Sequence, residues 1–200
     1  VIQSLKQKHL LRTFYKDGLR GYRLTAKAKG LLTADRPERF LPYLAGAAET
    51  NHIKSEPARR QRLHRIAETA ATMQNAGAAI FPDEKPEVFS PAWDGRPQIF
   101  ITAPAFYNSR EIKELGIEAV KIKGARSAGV LLTESAVFVI YNLGGSLMKW
   151  QYRAEMRTKA LMQTILCRER LPEQYAPEDV KGLLLGDNME LAATILSGEG

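Results

Sequence analysis

Two apolar runs with a very short connection between them constrain the fold of this chain most strongly. Residues 128–133 (AGVLLT) and 136–142 (AVFVIYN) are almost continuously apolar, as strands buried on both faces are. Only Glu134 and Ser135 separate the two runs. A connection this short can only reverse the chain direction, so the strands must pair antiparallel. We therefore predict an antiparallel hairpin at the centre of a mixed sheet.

A long helix and one more strand follow this hairpin. Residues 150–170 carry apolar side chains at helical spacing, and Pro172 ends the helix. The strand at 182–186 (GLLLG) can then pair parallel to 136–142 through a right-handed crossover. The side chains expected to face the sheet are Ala154, Thr158, Leu161, Ile165 and Leu166.

Shorter elements complete the pattern of the C-terminal half. Strands are predicted at 98–103 and 119–123, and a short helix at 110–116 begins after a Ser109 cap. A last helix over 189–197 follows Asp187 or Asn188 as its cap. The predicted order after residue 97 is therefore strand, helix, three strands, helix, strand and helix.

The N-terminal part predicts a second hairpin, over residues 10–25. Both of its strands are rich in β-branched and aromatic residues, and Asp17-Gly18 between them is the strongest short turn signal. Thr25 is placed to cap a helix over 26–32, and the end of another helix is expected before the hairpin. Residues 33–58 then indicate a linker with a short helical piece around 40–48, and a helix follows over 59–75.

Positive charge is concentrated in this N-terminal part. The formal net charge is +7, and residues 1–30 hold eight lysines and arginines against Asp17 alone. The excess of positive over negative charges in residues 1–30 therefore equals the net charge of the whole chain. Such a local concentration is expected where a protein contacts phosphates, and a solvated basic surface is the equally weighted alternative. Four arginines between 59 and 65 also crowd the first turns of a helix, where the dipole favours anions, so they indicate an external anion or a solvated face.

Other features of the composition narrow the class of protein. The single cysteine, Cys167, excludes an internal disulfide and a cysteine-rich zinc site, and its apolar helical setting favours a buried thiol. The three histidines show no metal-ligand spacing, and no stretch is apolar enough to span a membrane. We therefore expect a cytoplasmic protein without a metal or cofactor. Because the first residue is Val1, we expect the chain to be a fragment of a longer protein.

The segment from Leu10 to Leu32 (LLRTFYKDGLRGYRLTAKAKGLL) resembles the wing and final helix of a winged-helix DNA-binding domain. The resemblance implies that the wing contacts phosphates or the minor groove and that the preceding helix lies in the major groove. The residues then expected to contact DNA are Lys6, Lys8, Arg12, Lys16, Arg20, Arg23 and Lys27, joined by Arg59, Arg60 and Arg62 of the later helix.

The order of elements after residue 97 resembles that of restriction-endonuclease-like domains. A winged helix followed by such a domain is similar to the replication-relaxation family of bacterial plasmids and conjugative elements. The resemblance implies a metal-binding acid near Ser127 or Ala128 and an acid–lysine pair on the next strand, but residues 137–141 are apolar there. Glu155 and Lys159 are spaced as a surface ion pair. We therefore expect this domain to be catalytically inactive.

Together these features predict an α+β protein. Its expected parts are a winged-helix remnant at 1–32, a helical linker region at 33–97 and a nuclease-like domain at 98–200. The leading hypothesis is a protein that binds double-stranded DNA in the replication, transfer or regulation of a mobile element, without enzymatic activity. A metal-dependent nuclease or relaxase-like enzyme and a protein-interaction scaffold stay open as alternatives. A second copy of the chain and other DNA-processing proteins are the candidate protein partners.

Overall fold

The computed structural model describes most of the chain in nine stretches. They cover residues 1–16, 19–44, 57–91, 93, 99–113, 115, 127–144, 152–187 and 189–197. The chain divides into two compact units, an N-terminal unit of residues 1–63 and a C-terminal unit of residues 64–200. Helices and strands occur in both, which confirms a mixed α+β protein.

The N-terminal unit is a two-stranded ribbon with helices on either side in the sequence. Its elements are α1 (Ile2–Gln7), β1 (Leu11–Lys16), β2 (Leu19–Leu24), α2 (Ala26–Asp35) and α3 (Pro37–Leu44). The first turns of α4 (Pro57–Asn75) follow, and this helix continues into the C-terminal unit. The predicted hairpin and capped helix are confirmed, although α2 runs three residues beyond its predicted end at Leu32. The helical piece expected at 40–48 begins earlier, at Pro37, and residues 45–48 lie outside the described residues.

The C-terminal unit is built on a four-stranded sheet in the order β3-β4-β5-β6. The strands are β3 (Ala105–Asn108), β4 (Ser127–Leu132), β5 (Val137–Gly144) and β6 (Val180–Gly186). The β3–β4 and β4–β5 pairs are antiparallel, and β6 is parallel to β5. The predicted central hairpin and the parallel return strand are thus confirmed. The hand of the crossover stays a prediction.

Helices pack on both faces of this sheet. On one face, Val137, Val139 and Tyr141 of β5 share a core with α6 (Tyr152–Thr164) and the wider π-helical turn that continues it, Ile165–Arg170. On the other face, Ile140 packs with Met73 of α4. Successive strand residues point to opposite faces, so one apolar run supplies both cores.

The long predicted helix and its inward stripe are confirmed for the part of 150–170 that the structure describes. Helical structure runs from Tyr152 to Arg170, two residues before Pro172. Ala154, Thr158, Ile165 and Leu166 are buried, and Leu161 is half-buried against the core. The last helix, α7 (Met189–Leu196), also lies where the sequence predicts it.

The strand predicted at 98–103 is wrong for its described residues, 99–103. No strand forms there because a side chain takes the place of a neighbouring strand. The Gln174 amide accepts from the Ile101 N–H at 2.8 Å and donates to the Ile101 carbonyl at 2.8 Å. The first strand of the sheet therefore begins at Ala105, after Pro104. The strand predicted at 119–123 lies outside the described residues.

The cap of the short helix α5 (Ser109–Lys113) is also one residue away from its predicted position. Asn108, not Ser109, accepts the N–H groups of Arg110 and Glu111, at 2.9 and 3.2 Å. Glu111 in turn accepts the Asn108 N–H at 2.8 Å. This reciprocal pair satisfies the free donors at the helix start, as in a capping box.

Candidate nucleic-acid interface

The β1–β2 ribbon places two arginines directly opposite each other. Arg12 pairs with Arg23 in the antiparallel register, and both side chains are exposed. Like charges at directly opposed positions destabilise a two-stranded ribbon. A bound phosphate would reverse this effect, because two guanidinium groups can donate to it together. The Arg12–Arg23 pair is therefore an arrangement suited to an anionic ligand.

The base of the ribbon is fixed by one threonine. The Thr25 hydroxyl donates to the His9 carbonyl at 2.8 Å and accepts the Ala28 N–H at 3.2 Å. The Thr25 N–H donates to the Leu10 carbonyl at 3.1 Å. Thr25 therefore ends β2, starts α2 and holds the chain that enters β1.

The turn from α1 into β1 is a Schellman motif with histidine in the usual glycine position. His9 has a φ of 55°, in the left-handed region. The Leu10 N–H donates to the Leu5 carbonyl at 2.8 Å, and the His9 N–H donates to the Lys6 carbonyl at 3.0 Å. These two bonds satisfy carbonyls at the helix end and fix where α1 leads into the ribbon.

Three predicted lysines lie close to this base. Lys6 is in the last turn of α1, and Lys8 is its C-cap. Lys27 follows the Thr25 cap, and its Nζ lies 3.5 Å from the Lys8 carbonyl. All three side chains are exposed. The three lysines therefore lie on segments that meet at the end of the ribbon nearest the Arg12–Arg23 pair.

The two residues predicted for the wing tip occupy the far end of the ladder. Lys16 pairs with Leu19, and Arg20 pairs with Tyr15. Paired positions share a face and neighbours alternate, so positions 16 and 20 belong to opposite faces of the ribbon. The turn residues Asp17 and Gly18 lie outside the described residues. DNA contact by Lys16 and Arg20 stays a prediction.

The arginine cluster lies at the start of α4. Because the helix begins at Pro57, Arg59 and Arg60 fall in its first turn and Arg62 in its second. No acidic residue lies in that first turn, and Arg62 is exposed. An anion from outside the chain would be favoured here by the helix dipole.

The two units differ in charge. Residues 1–63 contain fourteen lysines and arginines against five acidic residues, an excess of nine positive charges. Residues 64–200 contain fifteen against seventeen, an excess of two negative charges. The positive potential of the chain therefore originates in the N-terminal unit.

The nuclease positions of the C-terminal unit hold no metal-binding group among the described residues. Val137, Val139 and Ile140 are buried in the two cores. No group of three histidine, cysteine or acidic side chains is placed to hold a metal ion in the part of the chain that the structure describes. The surface ion pair predicted for Glu155 with Lys159 is wrong, because Glu155 is buried and hydrogen-bonds to Tyr141. At these positions the described strand residues pack against helices on both faces of the sheet.

One buried ion pair was missed from the sequence. Lys85 Nζ donates to Glu111 Oε1 at 2.6 Å and to the carbonyls of Phe106 at 2.6 Å and Ile80 at 3.0 Å. It also lies 4.5 Å from the centre of the Tyr107 ring. Burial lowers the pKa of Lys85, while the Glu111 carboxylate opposes that shift. All three donors of the ammonium are used, so the pair ties the segment before β3 to β3 and α5. No local sequence pattern predicts this ion pair, because Lys85 and Glu111 lie 26 positions apart.

The buried thiol predicted at position 167 is confirmed. Cys167 lies in the π-helical turn, and its Sγ is 3.4 Å from the Ala176 carbonyl. Burial raises the pKa of this thiol, with further contributions from Asp179 and Glu178. The thiolate, which is the reactive form, is therefore disfavoured.

Comparisons with protein-family models, with curated proteins and with solved structures give no match for this chain. Of the helices that the structure describes, none combines the length and apolar character needed to cross a membrane.

Proposed function

We propose that this protein binds DNA through its N-terminal unit, with the β1–β2 ribbon contacting the sugar-phosphate backbone. The exposed Arg12–Arg23 pair carries the proposal, because the strand register places these two arginines directly opposite each other on one face of the ribbon, where both can donate to one phosphate. The resemblance of residues 10–32 to the wing of a winged-helix domain supports DNA as the source of that anion.

The flanking charges extend the surface. Lys6, Lys8 and Lys27 lie at the base of the ribbon, and the unit as a whole carries an excess of nine positive charges. Charge of this kind draws a protein to any DNA sequence, since phosphates carry no base information. We assign the ribbon to backbone contact and place the protein in the replication, transfer or regulation of a mobile element, as the family resemblance implies.

Salt-titrated binding tests this proposal. Replacing both arginines (Arg12→Ala with Arg23→Ala) should remove two phosphate contacts and flatten the slope of log K against log salt by about 2. The loss of affinity should be the same for duplexes of unrelated sequence. Fluorescence anisotropy of labelled duplexes over a range of salt concentrations measures both quantities.

The C-terminal unit supplies a matched control. Arg153→Ala with Arg157→Ala removes the same two charges from exposed positions of α6. This variant should keep most of the affinity and the slope. Equal losses in the two double variants would reduce the effect to net charge and reject the ribbon as the contact surface.

We propose further that the C-terminal unit is not a nuclease. Glu111 is engaged by Lys85, and Glu155 is buried against Tyr141, so neither acid is offered to a metal ion. The strands that would supply an acid and a lysine present apolar residues instead. The alternative, a protein-interaction scaffold, is favoured only by the absence of a metal-binding group among the residues that the structure describes.

A further inference from the structure

The two faces of the β1–β2 ribbon differ in chemistry. Arg12 and Arg23 share one face. The other face includes Thr13, Tyr15 and Tyr22, because Thr13 pairs with Tyr22 and Tyr15 with Arg20. Tyr15 is 71% exposed and Tyr22 is 41% exposed. The ribbon therefore presents Arg12 and Arg23 on one side, its arginine face, and Tyr15 and Tyr22 on the other, its tyrosine face, where position 20 is a further arginine.

The two tyrosines are neighbours on their face. Tyr22 lies two residues beyond Arg20, the partner of Tyr15, so the tyrosines occupy diagonal positions of the ladder. Diagonal positions are about 7–8 Å apart, within reach of aromatic side chains. The two tyrosines are consequently exposed neighbours on one face of the ribbon.

Tyrosines of the C-terminal unit are used differently. Tyr107 is buried and its hydroxyl donates to the Pro86 carbonyl at 2.6 Å, and buried Tyr175 donates to the Thr133 carbonyl. Their rings fill the core and their hydroxyls are satisfied internally. Tyr15 instead turns most of its ring to solvent, and the ladder position directly opposite it, position 20, is an arginine.

Aromatic rings beside positive charge form the usual platform for unpaired bases. Each base has a π-face, so stacking on a tyrosine ring tolerates any sequence, and nearby arginines hold the phosphates. A continuous duplex keeps its base faces covered by neighbouring pairs. A single-stranded segment exposes them.

We propose that the tyrosine face of the ribbon stacks against unpaired bases, so that the protein prefers DNA that carries a single-stranded segment beside a duplex. This inference rests on the proposed DNA binding and names the form of DNA that the same ribbon selects. The arginine face supplies phosphate contact, and the tyrosine face supplies the preference.

Three ligands separate stacking from added charge. They are a blunt duplex, the same duplex with a short single-stranded tail, and the same tail built from abasic residues, which keep the phosphates and lack bases. The full chain should bind the natural tail about tenfold more tightly than the abasic tail, as expected for a base stacked on an aromatic ring. A tail of RNA should bind like a tail of DNA, because stacking does not involve the 2′-hydroxyl.

Substitutions of Tyr15 test whether its aromatic ring causes the preference for the natural tail. Tyr15→Ala should abolish the preference for the natural tail and leave binding to the blunt duplex unchanged, whereas Tyr15→Phe should keep the preference. The control is Tyr152→Ala, which removes a similarly exposed tyrosine (68%) from the start of α6 and should change nothing. Because Tyr15 is exposed, these variants should fold, and circular dichroism checks that they do.

Other results would overturn the inference in distinguishable ways. Equal binding of natural and abasic tails, or a preference that survives Tyr15→Ala, rejects base stacking while the proposed function stands. A Tyr15→Ala variant that changes only the sedimentation of the free protein would show that the tyrosine face joins two copies of the chain, and would reject base stacking as well. Absence of binding to all three ligands rejects the proposed function itself.

Discussion

The two units of this protein use the same residue types in opposite ways. In the C-terminal unit, the Lys85 ammonium is buried and bonded to Glu111, and the Arg170 guanidinium donates to the carbonyls of Val88 and Ser90. In the N-terminal unit, Arg12 and Arg23 are exposed on the ribbon. Among its residues whose side chains the structure describes, only Ala28 is buried.

The difference shows how stability and binding are divided along the chain. Burying a charge is unfavourable unless other groups satisfy it, so the polar contacts of the C-terminal unit specify a packed fold. Exposed charges and rings contribute little to folding. In the N-terminal unit the side chains of Arg12 and Arg23 lie on the surface. Each of the following experiments probes this contrast, beginning with the largest effect.

Alkaline pH should give the largest difference between the two units, because it should destabilise the C-terminal unit. Burial, helped by nearby carboxylates, raises the pKa of the buried tyrosines Tyr107, Tyr141 and Tyr175 well above the ordinary value of 10.0. A group whose pKa is higher in the folded state contributes stability that is complete below its unfolded pKa and is lost as the pH rises above it. Each tyrosine should therefore lower the free energy of unfolding by about 1.4 kcal/mol per pH unit above 10.

Tyrosinate absorbance and circular dichroism, recorded together, check this expectation. The buried tyrosines should ionise only as the C-terminal unit unfolds. Ionisation of Tyr107, Tyr141 and Tyr175 before any loss of structure would contradict the effect of burial on these three rings.

A glycine-to-alanine substitution should change the free energy of unfolding in opposite directions in the two units. At Gly129 of β4, an added Cβ would clash with the Tyr107 carbonyl and lie 2.7 Å from the ring of Phe106. Gly129→Ala should therefore lower the free energy of unfolding by about 1–3 kcal/mol. At Gly30 of α2, a Cβ would meet nothing within 4 Å, so Gly30→Ala should stabilise this helix by about 0.5–1 kcal/mol.

Denaturant unfolding of the two glycine variants measures these changes. Circular dichroism follows the whole chain, and protease sensitivity at 1–63 reports the N-terminal unit. A neutral Gly129→Ala would show that β3 and β4 pack less closely than described. A destabilising Gly30→Ala would show that α2 is covered by a further surface.

The last prediction is that the protein does not cleave DNA. Incubation of the protein with supercoiled plasmid and Mg²⁺ or Mn²⁺ should leave the plasmid intact, because the acids of the C-terminal unit that the structure describes are not gathered at a metal site. Agarose gels detect nicking with high sensitivity. Nicking that persists through repurification and disappears in Glu134→Gln or Glu155→Gln would reverse the assignment of this unit.

Local signals were sufficient to predict several elements of this fold from the sequence. The short Glu134-Ser135 connection forces the β4–β5 pairing, and Asp17-Gly18 lies between two strands with a pattern that indicates a ribbon. The helical stripe from Ala154 to Leu166 likewise has the period of the structure that it forms. In each case the residues that decide the structure are close together in the sequence.

The predictions that were wrong depend instead on contacts between residues that are far apart in the sequence or on different elements of the fold. The segment before β3 has the β-branched and aromatic residues typical of a strand, but Gln174, 73 residues after Ile101, takes the bonds that a neighbouring strand would take. Glu155 has the spacing of a surface ion pair with Lys159, yet its helix turns it towards Tyr141 on the sheet. For the candidate interface, the sequence predicts the basic residues, but the opposition of Arg12 to Arg23 follows only from the strand register. Such contacts depend on the tertiary fold, which no window of sequence contains.

The hydrogen bonds of Thr25 bear on how fast the protein would release its ligand. They hold the strand ends next to the Arg12–Arg23 pair, so these backbone positions are ordered before any ligand arrives. A preorganised contact loses little conformational entropy on binding, and affinity gained this way usually lengthens the residence time of a complex rather than speeding its formation. In the proposed DNA binding, the Thr25 hydroxyl would thereby lengthen the dwell time of the ribbon on the phosphate backbone.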